Sequence, residues 1–500
     1  MTATDELTRL TATEAVTLLK RRAVSPRQLI DAAAARIEAV DGTINALPTR
    51  FLEQARQAAD RFRPSAGDAD RPGWLAGLPI AVKDYNDVAG QRTTYGSPLF
   101  ANNVAAASDL TVRTLEASGA IAIAKSNVPE FAGANTFNTV FGATRNPWDL
   151  RMSAGGSSGG SAAALASGEI WLATGNDLGG SLRIPASFCS IVGLRPSVGR
   201  VPRPAACLPF DALWVEGPMG RTVADVALML DAESWPSPED PLSLPRPTRP
   251  FVAAIASPRA PRRIGFSADL GLRRIDAEVA EICRRGVLAL AGANTVVEEA
   301  CSVLANGIDT FQTLRALMFA AVRGELLPAH RDRIAPEIVW NLEKGLALGA
   351  PEILLAERRR AAIVRNIVAF FDTHDVLACP VVAVPPFPVA QRYPTEMGGE
   401  TLVTYIDWMF LTFVITLTGC PAISVPCGFT RSGLPVGLQL VGRPQGDFNL
   451  LSAAHFLEQT LGIARRVPRE PATPTAIEGV SPETYPASNP PHHRRDEVFQ

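Results

Sequence analysis

The chain has 500 residues, 47% of them hydrophobic and 20% charged, with a formal net charge of −2. A chain of this size buries roughly three quarters of its unfolded surface, as an ordinary globular enzyme does. The near-neutral balance, with no basic stripe and no interleaving of basic and aromatic residues, excludes a broad electrostatic pull toward nucleic acid or an anionic membrane.

In chain order, residues 1–10 are polar and acidic and lack the basic and apolar regions of a secretory signal, which predicts a cytoplasmic location. Residues 13–22 and 26–40 carry amphipathic helical patterns. The second opens on Ser25-Pro26, a capping residue followed by proline at the first helical position. Residues 78–82, Leu-Pro-Ile-Ala-Val, are an apolar run of strand length. A helix over 109–118 ends at Gly119, and 120–124 reads as a buried strand. Strand and helix alternate again through 160–200. Residues 235–262, rich in proline and arginine, read as a surface excursion, after which 264–266, 276–291 and 295–297 resume strand–helix–strand. Residues 302–372 are mostly helical, and a strand returns at 376–379. The apolar stretch 408–415 falls short of the roughly 18 residues of a membrane span and reads as a core helix. Residues 422–426 and 435–441 flank a turn at Arg431-Ser432-Gly433 as in a hairpin, and a helix follows near 447–461.

This alternation predicts an α/β fold: a single large domain over 1–466 with a central mixed, mostly parallel β-sheet covered by helices on both faces. Within it, 10–60 supplies N-terminal helices, 75–230 a core, 302–410 a variable helical region and 420–445 closing strands. An irregular tail is expected over 467–500. The seven cysteines are scattered without a Cys-x-x-Cys pair, so neither a disulfide framework nor a zinc site is expected.

Chemistry concentrates in two glycine-rich segments. The first is Gly155-Gly156-Ser157-Ser158-Gly159-Gly160-Ser161, followed by an apolar helix that stops at Gly168. The second is Asn176-Asp177-Leu178-Gly179-Gly180-Ser181, reached through a buried strand. A nucleophilic serine must be exposed, and a sharp turn after a strand is one way to expose it. Paired glycines remove Cβ obstruction there. The amides of Leu178, Gly179, Gly180 and Ser181 can then converge as an oxyanion hole, each donor being worth about 2.7–4 kcal/mol of barrier. Tight packing of a glycine-rich turn explains either segment alone about equally well. A phosphate cradle is disfavoured, because no Gly-x-x-x-x-Gly-Lys-Ser/Thr pattern occurs. Gly155-Gly156-Ser157-Ser158-Gly159 also matches the α/β-hydrolase elbow Gly-x-Ser-x-Gly, which needs a histidine; His330, His374 and His455 have no evident catalytic setting, and the second Gly-Gly-Ser would go unexplained.

The base is a lysine or nothing obvious. Lysine occurs only at Lys20, Lys83, Lys125 and Lys344. Lys83 ends the apolar run 78–82, where burial would lower its pKa and leave a neutral amine able to act as a base. Lys125 occupies a similar strand-end position, so spacing alone does not choose between them, and on spacing a strand-end lysine that reaches solvent or pairs with Asp84 or Asp87 is the simpler account.

Three segments resemble the marks of the amidase signature family: Gly77-Leu78-Pro79-Ile80-Ala81-Val82-Lys83-Asp84, the Gly155 to Ser161 run, and Asp177-Leu178-Gly179-Gly180-Ser181-Leu182-Arg183-Ile184-Pro185. Their order and spacing match too, and 419–426 with 433–439 resembles that family's closing hairpin. The resemblance implies Ser181 as nucleophile, Ser157 as a bridging serine joined to Gly156 by a cis peptide bond, and Lys83 as base. Ser158, Asp177 and Arg183 would support the loop. Asn176 departs from the usual Thr or Ser, and Ser153-Ala154 stands where a proline is common. The implied activity is hydrolysis of a small or medium, hydrophobic or aryl amide or carbamate (urethane), and of esters besides, without metal or cofactor, by a monomer or homodimer. Phe137, Phe141, Phe319, Trp340 and Trp408 are the candidate substrate-binding residues, although each would serve equally well as core. The alternatives are a glutamine-hydrolysing amidotransferase subunit working with partner chains, and a catalytically silent binding protein on the same fold.

Overall fold

The N-terminal helices begin as their capping residues dictate. Thr11 caps the helix Ala12–Lys20 and Ser25 caps Pro26–Ile44, each in a reciprocal box with the residue three positions on. The computed structural model describes residues 3–203 and 208–471, so Cys207 and most of the tail expected over 467–500 lie outside the described residues.

Eleven strands form one sheet. Numbered along the chain they are β1 (Thr49–Arg50), β2 (Pro79–Lys83), β3 (Ile121–Ser126), β4 (Leu172–Asp177), β5 (Val192–Arg195), β6 (Val215–Gly220), β7 (Arg263–Phe266), β8 (Val296–Glu299), β9 (Val376–Pro380), β10 (Ala422–Phe429) and β11 (Pro435–Val441). Their spatial order is β1-β3-β2-β4-β6-β5-β10-β11-β9-β7-β8. The sheet is mixed, but parallel pairing does not predominate. It is confined to β3-β2-β4 and β8-β7-β9, and every pairing between those two patches is antiparallel. Connectivity is the reason. Helical crossovers, such as Leu110–Ala117 between β2 and β3, yield parallel neighbours, whereas β10 and β11 are joined by the short 430–434 turn and must run opposite ways.

Two large apolar clusters flank this sheet. One joins the N-terminal helices, β2, β3, β4 and the wholly buried helix Gly159–Ser167. The other joins β5, β7, β9, β10 and β11 with the helices Val223–Glu233, Ala277–Leu288, Phe410–Thr416 and Asp447–Leu461. The stretch 408–415 does become a short buried core helix, and among the described residues no helix is long and apolar enough to cross a membrane. The parallel strands β2 and β4 end side by side, which brings Lys83 to the two glycine-rich turns.

Candidate active site

Lys83 closes β2 with its side chain fully buried. Its Nζ donates to Ser157 Oγ at 2.7 Å and to Asn176 Oδ1 at 2.7 Å, while its amide donates to Thr174 Oγ1 at 2.8 Å. Burial strips the ammonium of water and pulls its pKa down to about 7, against the opposing attraction of Glu216 and Asp177. Lys125, one strand over, is differently employed. Its Nζ donates to the Asn86 carbonyl and to Thr93 Oγ1, and it pairs with the Asp84 carboxylate at 3.6 Å. Of the two lysines that spacing could not separate, Lys83 is the one that meets a glycine-loop serine.

The first loop is held by the segment 134–136. Thr136 donates from its amide to Gly155 O at 3.0 Å and from Oγ1 to Ser157 O at 3.3 Å, and it accepts from the Gly159 amide at 3.0 Å. Gly156 has to be glycine: a Cβ there would stand 2.1 Å from Ala134 O. The Gly156–Ser157 peptide bond is cis. Ser158 donates its amide to Ser181 O at 3.3 Å, which ties the two loops together.

Asp177 organises the second loop. Its buried carboxylate accepts from the amides of Gly180 (2.9 Å) and Leu182 (3.3 Å), from Arg183 Nε (2.9 Å) and Nη2 (2.8 Å), and from Arg195 Nη1 (3.3 Å). Burial alone would raise its pKa, but the two guanidiniums and these donors prevail and hold it at about 2. Arg183 also donates to Thr412 O at 3.0 Å and Gln439 Oε1 at 2.5 Å, and Thr412 Oγ1 donates to Gly179 O at 2.7 Å. Gly180 has φ +119°, and a Cβ there would lie 2.3 Å from Thr412 Oγ1. The loop is thus clamped between the sheet and the helix Phe410–Thr416. Ser181 is partly exposed at its tip, whereas Lys83 and Ser157 are not exposed at all.

Of the four amides expected to converge, that of Gly180 is turned onto Asp177. Those of Leu178, Gly179 and Ser181 meet no acceptor among the described residues and stay available. Two of the candidate histidines have partners away from these loops: His374 contacts Glu298 and Thr373, and His455 contacts Glu458 and Gln459. Sequence reasoning missed Thr136, Arg195, Thr412 and Gln439, which come from distant segments and carry no local pattern. Asn176, noted only as a departure, turns out to be the second acceptor of Lys83.

The aromatic candidates separate. A cavity of about 210 Å³ is lined by Phe137 together with Glu130, Asn135, Glu337, Ile338 and Arg392, among others. The strap 134–136 lies between this cavity and the first glycine loop. The other four aromatics do not line it. Trp408 is completely buried between Phe188 and Phe387, and Phe319 sits in a small core cluster with Met318 and Ile338. Trp340 packs edge-on against Tyr405 at 6.0 Å, and Phe141 lies beneath the Arg92 guanidinium at 5.0 Å. The buried rings of Phe319 and Trp408 gain more from core burial than from lining a wet cavity. The cavity itself mixes apolar walls with charge, including the Glu337–Arg392 pair at 2.6 Å.

Comparison with known proteins gives a consistent result. A family model described as amidase matches residues 28–451. A glutamyl-tRNA(Gln) amidotransferase subunit from Moorella thermoacetica is 35% identical over 489 residues, covering 93% of this chain and 99% of that one. An acylamidase from Rhodococcus erythropolis is 33% identical over 454 residues, covering 89% and 94%. Among solved structures, a bacterial aryl acylamidase of the amidase signature enzymes superposes with a TM-score of 0.83 at 27% identity, covering 91% of this chain and 98% of the other.

Proposed function

The chain belongs to the amidase family, and from that premise we propose that it hydrolyses a small or medium amide or carbamate, preferably an aryl one, through an acyl-enzyme on Ser181. The observation that carries this reading is the 2.7 Å contact between Lys83 Nζ and Ser157 Oγ. Neutral Lys83 takes the Ser157 proton as Ser157 takes that of Ser181, and Ser181 Oγ adds to the carbonyl carbon. The free amides of Leu178, Gly179 and Ser181 stabilise the oxyanion. The proton then returns along the same hydroxyls to the leaving nitrogen, the C–N bond breaks, and water repeats the sequence to release the acid. Ester substrates follow the same course with an easier leaving group. Because the base must be uncharged, activity rises with pH through about 7, where Lys83 loses its proton, and falls away below it.

The likeness to an aryl acylamidase supports an aryl substrate. The likeness to a glutamyl-tRNA(Gln) amidotransferase component supports a second reading, in which glutamine is the amide donor and partner chains are required. A panel of anilides, carbamates and glutamine separates the two. The shared mechanism is tested with a fluorophosphonate probe followed by peptide mapping: the adduct is expected on Ser181 and absent from Ser181→Ala. An unlabelled wild-type protein would leave only a silent binding protein.

A further inference from the structure

Asn176 faces β6 as well as Lys83. It is the register partner of Glu216 across the antiparallel β4–β6 pair. Directly opposed residues project to the same face with Cβ atoms about 5 Å apart. Lys83 reaches that face too, because its Nζ donates to Asn176 Oδ1 at 2.7 Å. Three adjacent strands therefore place an amine, an amide and a carboxyl in one buried row.

Two atoms of this row have no hydrogen-bond partner: Asn176 Nδ2 and Glu216 Oε2. Glu216 is only 2% exposed. A carboxylate buried this deeply with one oxygen unpaired would be costly, and so would an ammonium whose direct partners are all neutral. Asn176 Nδ2 is a donor within cross-strand reach of Glu216, and its Oδ1 already accepts from Lys83.

We propose that Glu216 is a positioning residue for the base: the Glu216 carboxyl and the Lys83 amine hold one proton between them, with Asn176 seated in the middle. Moving that proton from Nζ to Oε2 converts ammonium plus carboxylate into amine plus carboxylic acid. Charge is conserved, and nothing need leave the protein for Lys83 to become a base. The inference rests on Lys83 acting as the base of the proposed reaction.

The surrounding charges fit such sharing. Burial raises the Glu216 pKa to about 7, with Lys83, a hydrogen bond with Asn86 and Arg203 opposing the rise and Asp109 adding to it. Glu233, itself buried and pushed well upward, also faces Glu216, while Asp177 faces Lys83 and favours its charged form. Two groups coupled in this way lose their protons in two macroscopic steps that belong to the pair.

The test is the rate at which an alkyl fluorophosphonate labels Ser181, followed from about pH 5 to about pH 9 in the full-length wild type, Glu216→Gln and Glu216→Asp. Gln keeps the shape but removes the titrating group and its attraction for the ammonium. The acid limb is expected to move to lower pH by about one unit or more and to sharpen into a single step, while Asp restores the broad wild-type profile. Circular dichroism and thermal melting confirm that each variant is folded. If folded Glu216→Gln keeps the wild-type limb, or moves it to higher pH, the shared proton is refuted. If the wild type is not labelled at any pH, the failure lies with Ser181 as nucleophile instead. If Gln does not fold, the Asp profile decides: a two-step limb supports the proposal, and a single unshifted step overturns it.

Discussion

Lys83 and Lys125 end neighbouring parallel strands, and both are completely buried. At Lys125 burial also lowers the pKa, but the protein supplies a carboxylate, Asp84, and two oxygen acceptors that oppose the loss of the proton. At Lys83 the direct partners are a hydroxyl and a carboxamide oxygen, both neutral, and burial is answered by a pKa drawn down toward neutrality. Burial alone therefore does not make a lysine into a base. What matters is whether the strand end gives the ammonium an immediate counter-charge or leaves it to shed a proton.

The largest effect comes from removing each lysine in turn. Lys83→Ala should lower the turnover of an anilide by about 10³-fold or more while the protein stays folded. Lys125→Ala strands Asp84 and should cost about 3–5 kcal/mol of stability, seen as a lower denaturant midpoint, with the folded fraction keeping its kcat. If Lys125→Ala abolished turnover in folded protein and Lys83→Ala spared it, the contrast between the two strand ends would be inverted.

A smaller effect sharpens what Lys83 acts upon. Gly180→Ala would place a methyl group 2.3 Å from Thr412 Oγ1 at a φ of +119°, a strain of about 1–3 kcal/mol. Because that strain falls on the loop carrying Ser181, kcat should drop by about 10-fold or more, whereas a glycine replaced at an open turn should leave it alone. Steady-state kinetics on Gly180→Ala beside Gly433→Ala makes that comparison, since Gly433 also has a positive φ but meets nothing within 4 Å.

The smallest effect tests whether the cavity beyond the strap 134–136 receives the substrate. Phe137→Ala should raise KM a few-fold, with stability changing little because one face of the ring lines a cavity. Trp408→Phe should leave KM unchanged and cost about 1–3 kcal/mol, since Trp408 has no exposure at all. A KM effect at Trp408 would return it to the pocket.

The same contrast explains what the amino-acid sequence disclosed. The glycine–serine turns were readable because the backbone itself imposes the residue: Gly156 and Gly180 each sit where a Cβ would strike a neighbour, and such demands leave a local pattern. The hairpin at 422–441 and the capped N-terminal helices were readable for the same reason. Parallel pairing was overestimated because an apolar strand looks alike whichever way its neighbour runs. The supports of the site escaped notice because Thr136, Arg195, Thr412 and Gln439 arrive from separate segments, and nothing local tells that they meet at the Asp177 and Gly156 loops. Aromatic content could not tell which rings line a cavity, as a ring in the core and a ring in a cavity wall obey the same hydrophobic preference.

The central claim is that the Lys83 amine loses its proton near neutral pH. With only four lysines in the chain, a protein carrying ¹⁵N at its lysine Nζ atoms should give few enough signals to follow individually by NMR, and Lys83→Arg assigns the one of interest. That signal should titrate near pH 7. A Lys83 resonance that stays that of an ammonium beyond about pH 9, near the ordinary lysine value, would contradict the account.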